Sequence, residues 1–164
     1  MIYLLLLAIV IFAVYNFLVI KLNGELPTSI SASFYILNEW KNGWGYLFTV
    51  WCFFTAYLII ALFLELSDGQ WFQFLGFTAA AGLAFVGAAP HFRTTETAIH
   101  YTAAGICCIS ALVWCSLMTS PVPSAIWLAG AVVAAFIRWY SALWFVEVAV
   151  FISTFLTLLA LLLQ

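Results

Sequence analysis

Charge is the first scarcity of this 164-residue chain: Asp, Glu, Lys and Arg make up 6% of it, against roughly 25% in a soluble domain. A globule of this length has to cover itself with polar groups, so a water-soluble fold is excluded and the solvent must be lipid. Cations are scarcer still. Four Lys and Arg against six Asp and Glu give a net charge of −2, which leaves no electrostatic footprint for nucleic acid. The N-terminal apolar run has no basic n-region, and no small-residue cleavage site precedes a hydrophilic domain, so it reads as a retained span and not a signal peptide. No CxxC spacing occurs among Cys52, Cys107, Cys108 and Cys115, all inside apolar runs. They read as small apolar packers, and neither a metal nor another cofactor is expected. HExxH, GxSxG, a Walker loop and a haem-ligation pair are also missing, and with them the short motifs that would name a chemistry. There is no internal repeat and no low-complexity segment.

What remains is apolar: 68% of the residues are hydrophobic and the mean hydropathy is +1.21. A bilayer core needs about 20 apolar residues per helix. Six segments meet or approach that length: Ile2–Ile20, Tyr46–Leu64, Trp71–Ala89, Ala98–Leu117, Ala125–Ile137 and Ala142–Leu163. Asn23-Gly24 and Pro27, Ser67-Asp68-Gly69, Pro90, and Pro121 with Pro123 punctuate them. Arg138-Trp139-Tyr140-Ser141 contains no Gly or Pro, yet one helix from Pro123 to Gln164 would run about 60 Å, twice the hydrocarbon thickness. A tight hairpin is expected there. The sequence therefore predicts one all-α integral-membrane domain over 1–164, a six-transmembrane-helix bundle. A short interfacial amphipathic helix over about 29–41 should lie between helices 1 and 2, with Ile30, Phe34 and Leu37 on one face, Thr28 as N-cap and Gly43 with Gly45 ending it. The alternative is that this segment dips into the bundle.

Tryptophans favour membrane interfaces. The boundaries place Trp40, Trp44, Trp139 and Trp144 at one face and Trp71, Trp114 and Trp127 near the other, with Trp51 well inside a span. Lys21, Lys41, Arg93 and Arg138 all fall in the first, third and fifth connections. The positive-inside rule then puts the odd connections in the cytoplasm and both termini outside, with the plasma (inner) membrane as the expected location.

Polar residues converge on that cytoplasmic side. PHFRTTETAIHYTAAG, 90–105, holds both histidines. Thr94 or Thr95 can cap the fourth span, with Glu96 in its first turn and His100 four residues on, on the same face. Ala80/Ala84/Ala88 and Ala104/Cys108 are small-residue spacings that let helices approach closely. Glu147, about 9 Å along the last span, is the most demanding residue, because an ionised acid there costs about 2.5–3.5 kcal/mol on insertion scales. It needs a proton, a partner or water. Arg138 and His100 are the two expected partners, and Asn16 approaches from the first span. The candidate polar cluster is Asn16, Ser31, His91, Arg93, Glu96, His100, Arg138 and Glu147. Blander readings stand beside it: a buried pair can simply fix helix register, His91 and Arg93 can sit among headgroups, and Ser29, Ser31 and Ser33 are good helix starters.

A serine-bearing segment (Ser31, or Ser29) followed by His91 and His100 resembles the CREST-type membrane proteins, which include alkaline ceramidases and adiponectin-receptor-like proteins. That resemblance implies a seven-helix fold holding zinc through three histidines, supported by Ser and Asp. This chain lacks the third histidine and the nearby aspartate, and His91 and His100 are nine apart.

Three functions compete. The chain is first a binding or accessory bundle with a polar pocket open to the cytoplasmic face. The alternatives are a membrane-embedded (metallo)hydrolase acting on a lipid, and a proton-linked transporter subunit using Glu147. The expected partners are the lipid bilayer, a lipid or small-molecule ligand, and a membrane protein or second copy of the chain.

Overall fold

In lipid every backbone N–H and C=O has to be satisfied within the chain, so apolar runs of membrane length fold as helices. The computed structural model describes residues 1–92 and 96–164. Among them the secondary structure is helical without strands: α1 (Ile2–Asn23), α2 (Ser33–Trp40), α3 (Tyr46–Leu66), α4 (Gln73–Ala88), α5 (Glu96–Met118), α6 (Pro121–Ile137) and α7 (Ala142–Leu162). Short 3-10 turns at Ala89–His91 and Trp139–Ser141 extend α4 and introduce α7. Five helices are long and apolar enough to cross a membrane, while α6, at 17 residues, is a shorter apolar helix. Large side chains point outward along these helices: Tyr3 is 81% exposed and Phe136 84%. Outward apolar surface on this scale suits acyl chains and not water. The protein is a multi-pass membrane protein in contact with lipid.

The predicted breaks occur where the local chemistry requires them. Gly24, at φ 78°, closes α1 by donating its N–H to Ile20 at 3.0 Å; left-handed geometry favours glycine. Ser120 caps α6, accepting from the Val122 amide at 3.3 Å, with Pro121 in the first turn. The hairpin at Arg138 forms without Gly or Pro. The Arg138 amide still donates to Ala134, and the 3-10 turn Trp139–Ser141 then reverses the chain so that α7 packs on α6.

Helix α4 sits between α3 and α5, and its glycines set the distances. A Cβ on Gly76 would lie 2.5 Å from Phe63 Cβ, one on Gly87 2.5 Å from Cys52 Cβ, and one on Gly82 2.9 Å from the Ala103 carbonyl. The helices that carry the alanine spacings, α4 and α5, do pack together, and Gly82 is one point of close approach between them. Trp114 differs from its expected place in an aromatic belt. It is fully buried, packing edge-on to Phe63 at 4.6 Å, because it faces the bundle axis.

The segment before α2 also departs from expectation. Its helix starts at Ser33, not at Thr28 or Ser29, and Ala32 occupies the N-cap with no side-chain hydrogen bond. Residues 28–31 stay out of the helix, with the Thr28 carbonyl and the Ile30 amide bonded to α7. The segment dips into the bundle, with Ile30, Ser33 and Leu37 buried.

Candidate functional site

Residues 26–33 form a strap running from α1 to α2 across the start of α7. Ser141 donates its hydroxyl to the Leu26 carbonyl at 3.1 Å, the Trp144 amide donates to the Thr28 carbonyl at 3.1 Å, and the Ile30 amide donates to Glu147 Oε2 at 2.5 Å. Ser141, Trp144 and Glu147 recur every three residues, so the opening turns of α7 present successive partners to the strap. Within the strap Ser29 Oγ accepts from the Ala32 amide at 3.0 Å and lies 3.0 Å from Ser31 Oγ. At its far end Ser33 Oγ meets the Tyr15 hydroxyl at 2.5 Å, and the Tyr15 ring stacks on Trp51 with centroids 4.6 Å apart.

Behind the strap is a small chamber with a cavity volume of about 60 Å³. Its walls are apolar: Phe48, Trp51, Leu83, Ala104, Phe151 and Phe155 are representative, with Cys52, Cys107 and Cys108 among the rest. Glu147 and Ser31 supply polarity at its strap end. Next to it lies a vestibule of about 300 Å³, whose walls include Thr28, Ser29, Ser31, Tyr35, Glu96, Thr97, His100 and Tyr101. Ser31 and Phe48 belong to the walls of both spaces. The arrangement is a polar antechamber that shares a wall with an oily interior.

The expected polar cluster is divided. Glu147 pairs with a backbone amide; among the described residues neither Arg138 nor His100 bonds to it. The physical reason is that the strap, being non-helical, carries amides without intrahelical partners, while Arg138 is exposed at the end of α6. Asn16 is buried, but it accepts from Trp144 Nε1 at 3.3 Å and donates to the Phe12 carbonyl at 2.9 Å. It thereby orients the tryptophan one turn from Glu147. Glu96 and His100 do share the vestibule. The Tyr35 hydroxyl donates to Glu96 Oε1. That hydrogen bond, aided by partial burial and the nearby negative charge, pushes the Tyr35 phenol up to about 12.

His91 is placed apart from both spaces. It is exposed, its Nε2 lies 3.0 Å from Thr49 Oγ1, and its ring stacks on Tyr46 with centroids 4.9 Å apart. Arg93 lies outside the described residues, as do Thr94 and Thr95. No group of three or more His, Cys, Asp or Glu side chains that could hold a metal ion occurs among the described residues. The sequence reading missed Ile30 as the partner of Glu147, and Tyr15 and Trp51 as the support beneath the strap. A tyrosine five residues short of a predicted span end was the one available signal.

No family model, curated protein or solved structure matches this chain.

Proposed function

We propose that the protein is a membrane-embedded binding bundle for an amphipathic molecule, a lipid or lipid-like compound. The polar end of the ligand sits in the vestibule, and only the tip of its apolar body enters the chamber. The observation that carries this reading is the wall at Ser31 and Phe48 that the two spaces share. A site with apolar walls and a few convergent polar groups is the usual form of a small-molecule pocket. In this reading the shorter α6 also crosses, giving six crossings. The positive-inside count turns the strap and vestibule toward the cytoplasm, both termini outward, in the plasma membrane.

The test is occupancy. Protein purified in a non-ionic detergent is extracted with organic solvent, and the retained small molecules are identified by mass spectrometry. Ala104→Trp, which fills the chamber, should reduce the retained amphiphile to background while the variant elutes as a folded monodisperse species. Unchanged retention in that variant defeats the proposal.

An intramembrane carboxylate on a cavity wall also fits a proton-linked carrier. Counterflow of protons with a bound amphiphile in liposomes, abolished by Glu147→Gln, would add transport to binding.

A further inference from the structure

The vestibule wall has both donors and acceptors left over. Ser29 Oγ accepts from the Ala32 amide and lies 3.0 Å from Ser31 Oγ. Whichever serine donates to the other, one hydroxyl hydrogen of the pair remains, because each hydroxyl carries a single hydrogen. The Tyr35 hydroxyl spends its hydrogen on Glu96 Oε1. Among the described residues, that leaves the Tyr35 oxygen and Glu96 Oε2 as acceptors. His100, on the same wall, adds one donor and one acceptor in its neutral form. Glu96 is the one carboxylate there, and no Lys or Arg joins it among the described residues.

These groups discriminate between headgroups. A carboxylate or a phosphate brings like charge toward Glu96, which costs most where water is scarce. A trimethylammonium group neither donates nor accepts, so it leaves the serine hydrogen unmet at a cost. A hydroxyl does both. Two neighbouring hydroxyls, as in a glycerol group, suit a wall that holds a spare donor and a spare carboxylate oxygen. Size agrees. A cavity of about 150 Å³ takes benzene, so the vestibule, at about 300 Å³, has room for roughly twice as many heavy atoms. A glycerol group with about six carbons attached fills that space. Phe48 and Leu143 offer the carbons apolar wall.

We infer that the vestibule takes a neutral amphiphile headed by adjacent hydroxyls, a glycerol-type diol, with the serine pair donating to it and Glu96 accepting from it. This rests on the binding reading above and adds the chemical class of the ligand's polar end. Two sources share this chemistry: a monoacylglycerol of the membrane, and a free short-chain alkyl diol.

The experiment uses the full chain in phosphatidylcholine vesicles and a hexylglycerol probe with a diazirine at its tail. After illumination, labelled peptides are identified by mass spectrometry. Label is expected within residues 28–35 or 96–101, which contribute to the vestibule wall. Unlabelled hexylglycerol, hexanoate and hexyltrimethylammonium then compete at matched concentrations in the bilayer. Hexylglycerol should displace the label at about tenfold lower concentration than either ion, the worth of one or two hydrogen bonds. Glu96→Gln keeps an acceptor and removes the charge, so the gap between hexylglycerol and hexanoate should narrow to about threefold or less. A long-chain monoacylglycerol that displaces the label better than hexylglycerol assigns the site to a membrane lipid. The reverse order assigns it to a free diol, and both orders support the inference. Equal displacement by the diol and the two ions, stronger displacement by either ion, or a gap that Glu96→Gln leaves unchanged overturns it and leaves the binding reading intact. If no vestibule peptide carries displaceable label, the binding reading itself falls. The wild-type comparison needs no variant, so a folding defect in Glu96→Gln does not blunt it.

Discussion

The Ile30 amide and the Glu147 carboxylate meet at 2.5 Å across 117 residues of sequence. One is a backbone donor freed because its segment is not helical, and the other is a side chain that an apolar span cannot leave bare. Each answers the other's requirement, and the contact ties the strap to α7 at the chamber wall.

Replacing Glu147 should therefore separate two effects. Glu147→Gln keeps a carbonyl oxygen for the Ile30 amide and should cost less than about 1 kcal/mol of stability. Glu147→Ala strands a part-buried donor and should cost about 1–3 kcal/mol. Unfolding of both variants in the same detergent checks this. Equal losses for Gln and Ala would mean that the amide does not depend on the acceptor.

Tyr15 and Ser33 form a second anchor. A double-mutant cycle with Tyr15→Phe and Ser33→Ala keeps the ring stack on Trp51 and removes only the hydroxyl pair. The coupling expected is about 0.5–1.5 kcal/mol. Additive losses would show that the two hydroxyls act independently.

The glycines divide into obligatory and dispensable. Gly87→Ala drives a methyl to 2.5 Å from Cys52 Cβ and should destabilise by about 1–3 kcal/mol through overpacking. A Cβ on Gly105, in α5, meets nothing within 4 Å. Gly105→Ala should be neutral or stabilising by up to about 1 kcal/mol, from helix propensity and reduced unfolded-state freedom. Thermal midpoints of the two variants should shift in opposite directions or differ clearly.

The Tyr35–Glu96 contact gives a pH signature. The folded-state phenol titrates at about 12 against an ordinary value of 10.0, so the neutral hydroxyl is the favoured form. Its contribution to stability is fully present below pH 10 and is lost as pH rises through about 12. The difference in phenolate absorbance between wild type and Tyr35→Phe should have its midpoint near 12. Glu96→Ala should return it toward 10.0. A wild-type midpoint at the ordinary value would refute the contact.

Span positions were legible because an uninterrupted apolar run can do little else in lipid, and the break at Arg138 followed from length alone. Glu96 and His100 were placed together correctly by helical spacing. The companion of Glu147 was not legible. A side-chain partner leaves a letter in the sequence, whereas a free amide at Ile30 depends on where the helix declines to begin, and serines at positions 29, 31 and 33 permit several starts. Trp114 misled for a related reason: depth is readable from distance to a span end, but inward or outward facing depends on which neighbours α5 acquires. Tyr15 was hidden by surroundings apolar enough to absorb its ring without marking its hydroxyl.

The clasp between strap and α7 also orders the birth of the molecule. At about 5–20 residues per second, the ribosome needs roughly 6 to 23 s to travel the 117 residues from Ile30 to Glu147. Until α7 has been made, the Ile30 amide has no Glu147 carboxylate to bond. The strap and α7 are thus joined only after α3 to α6 have been made.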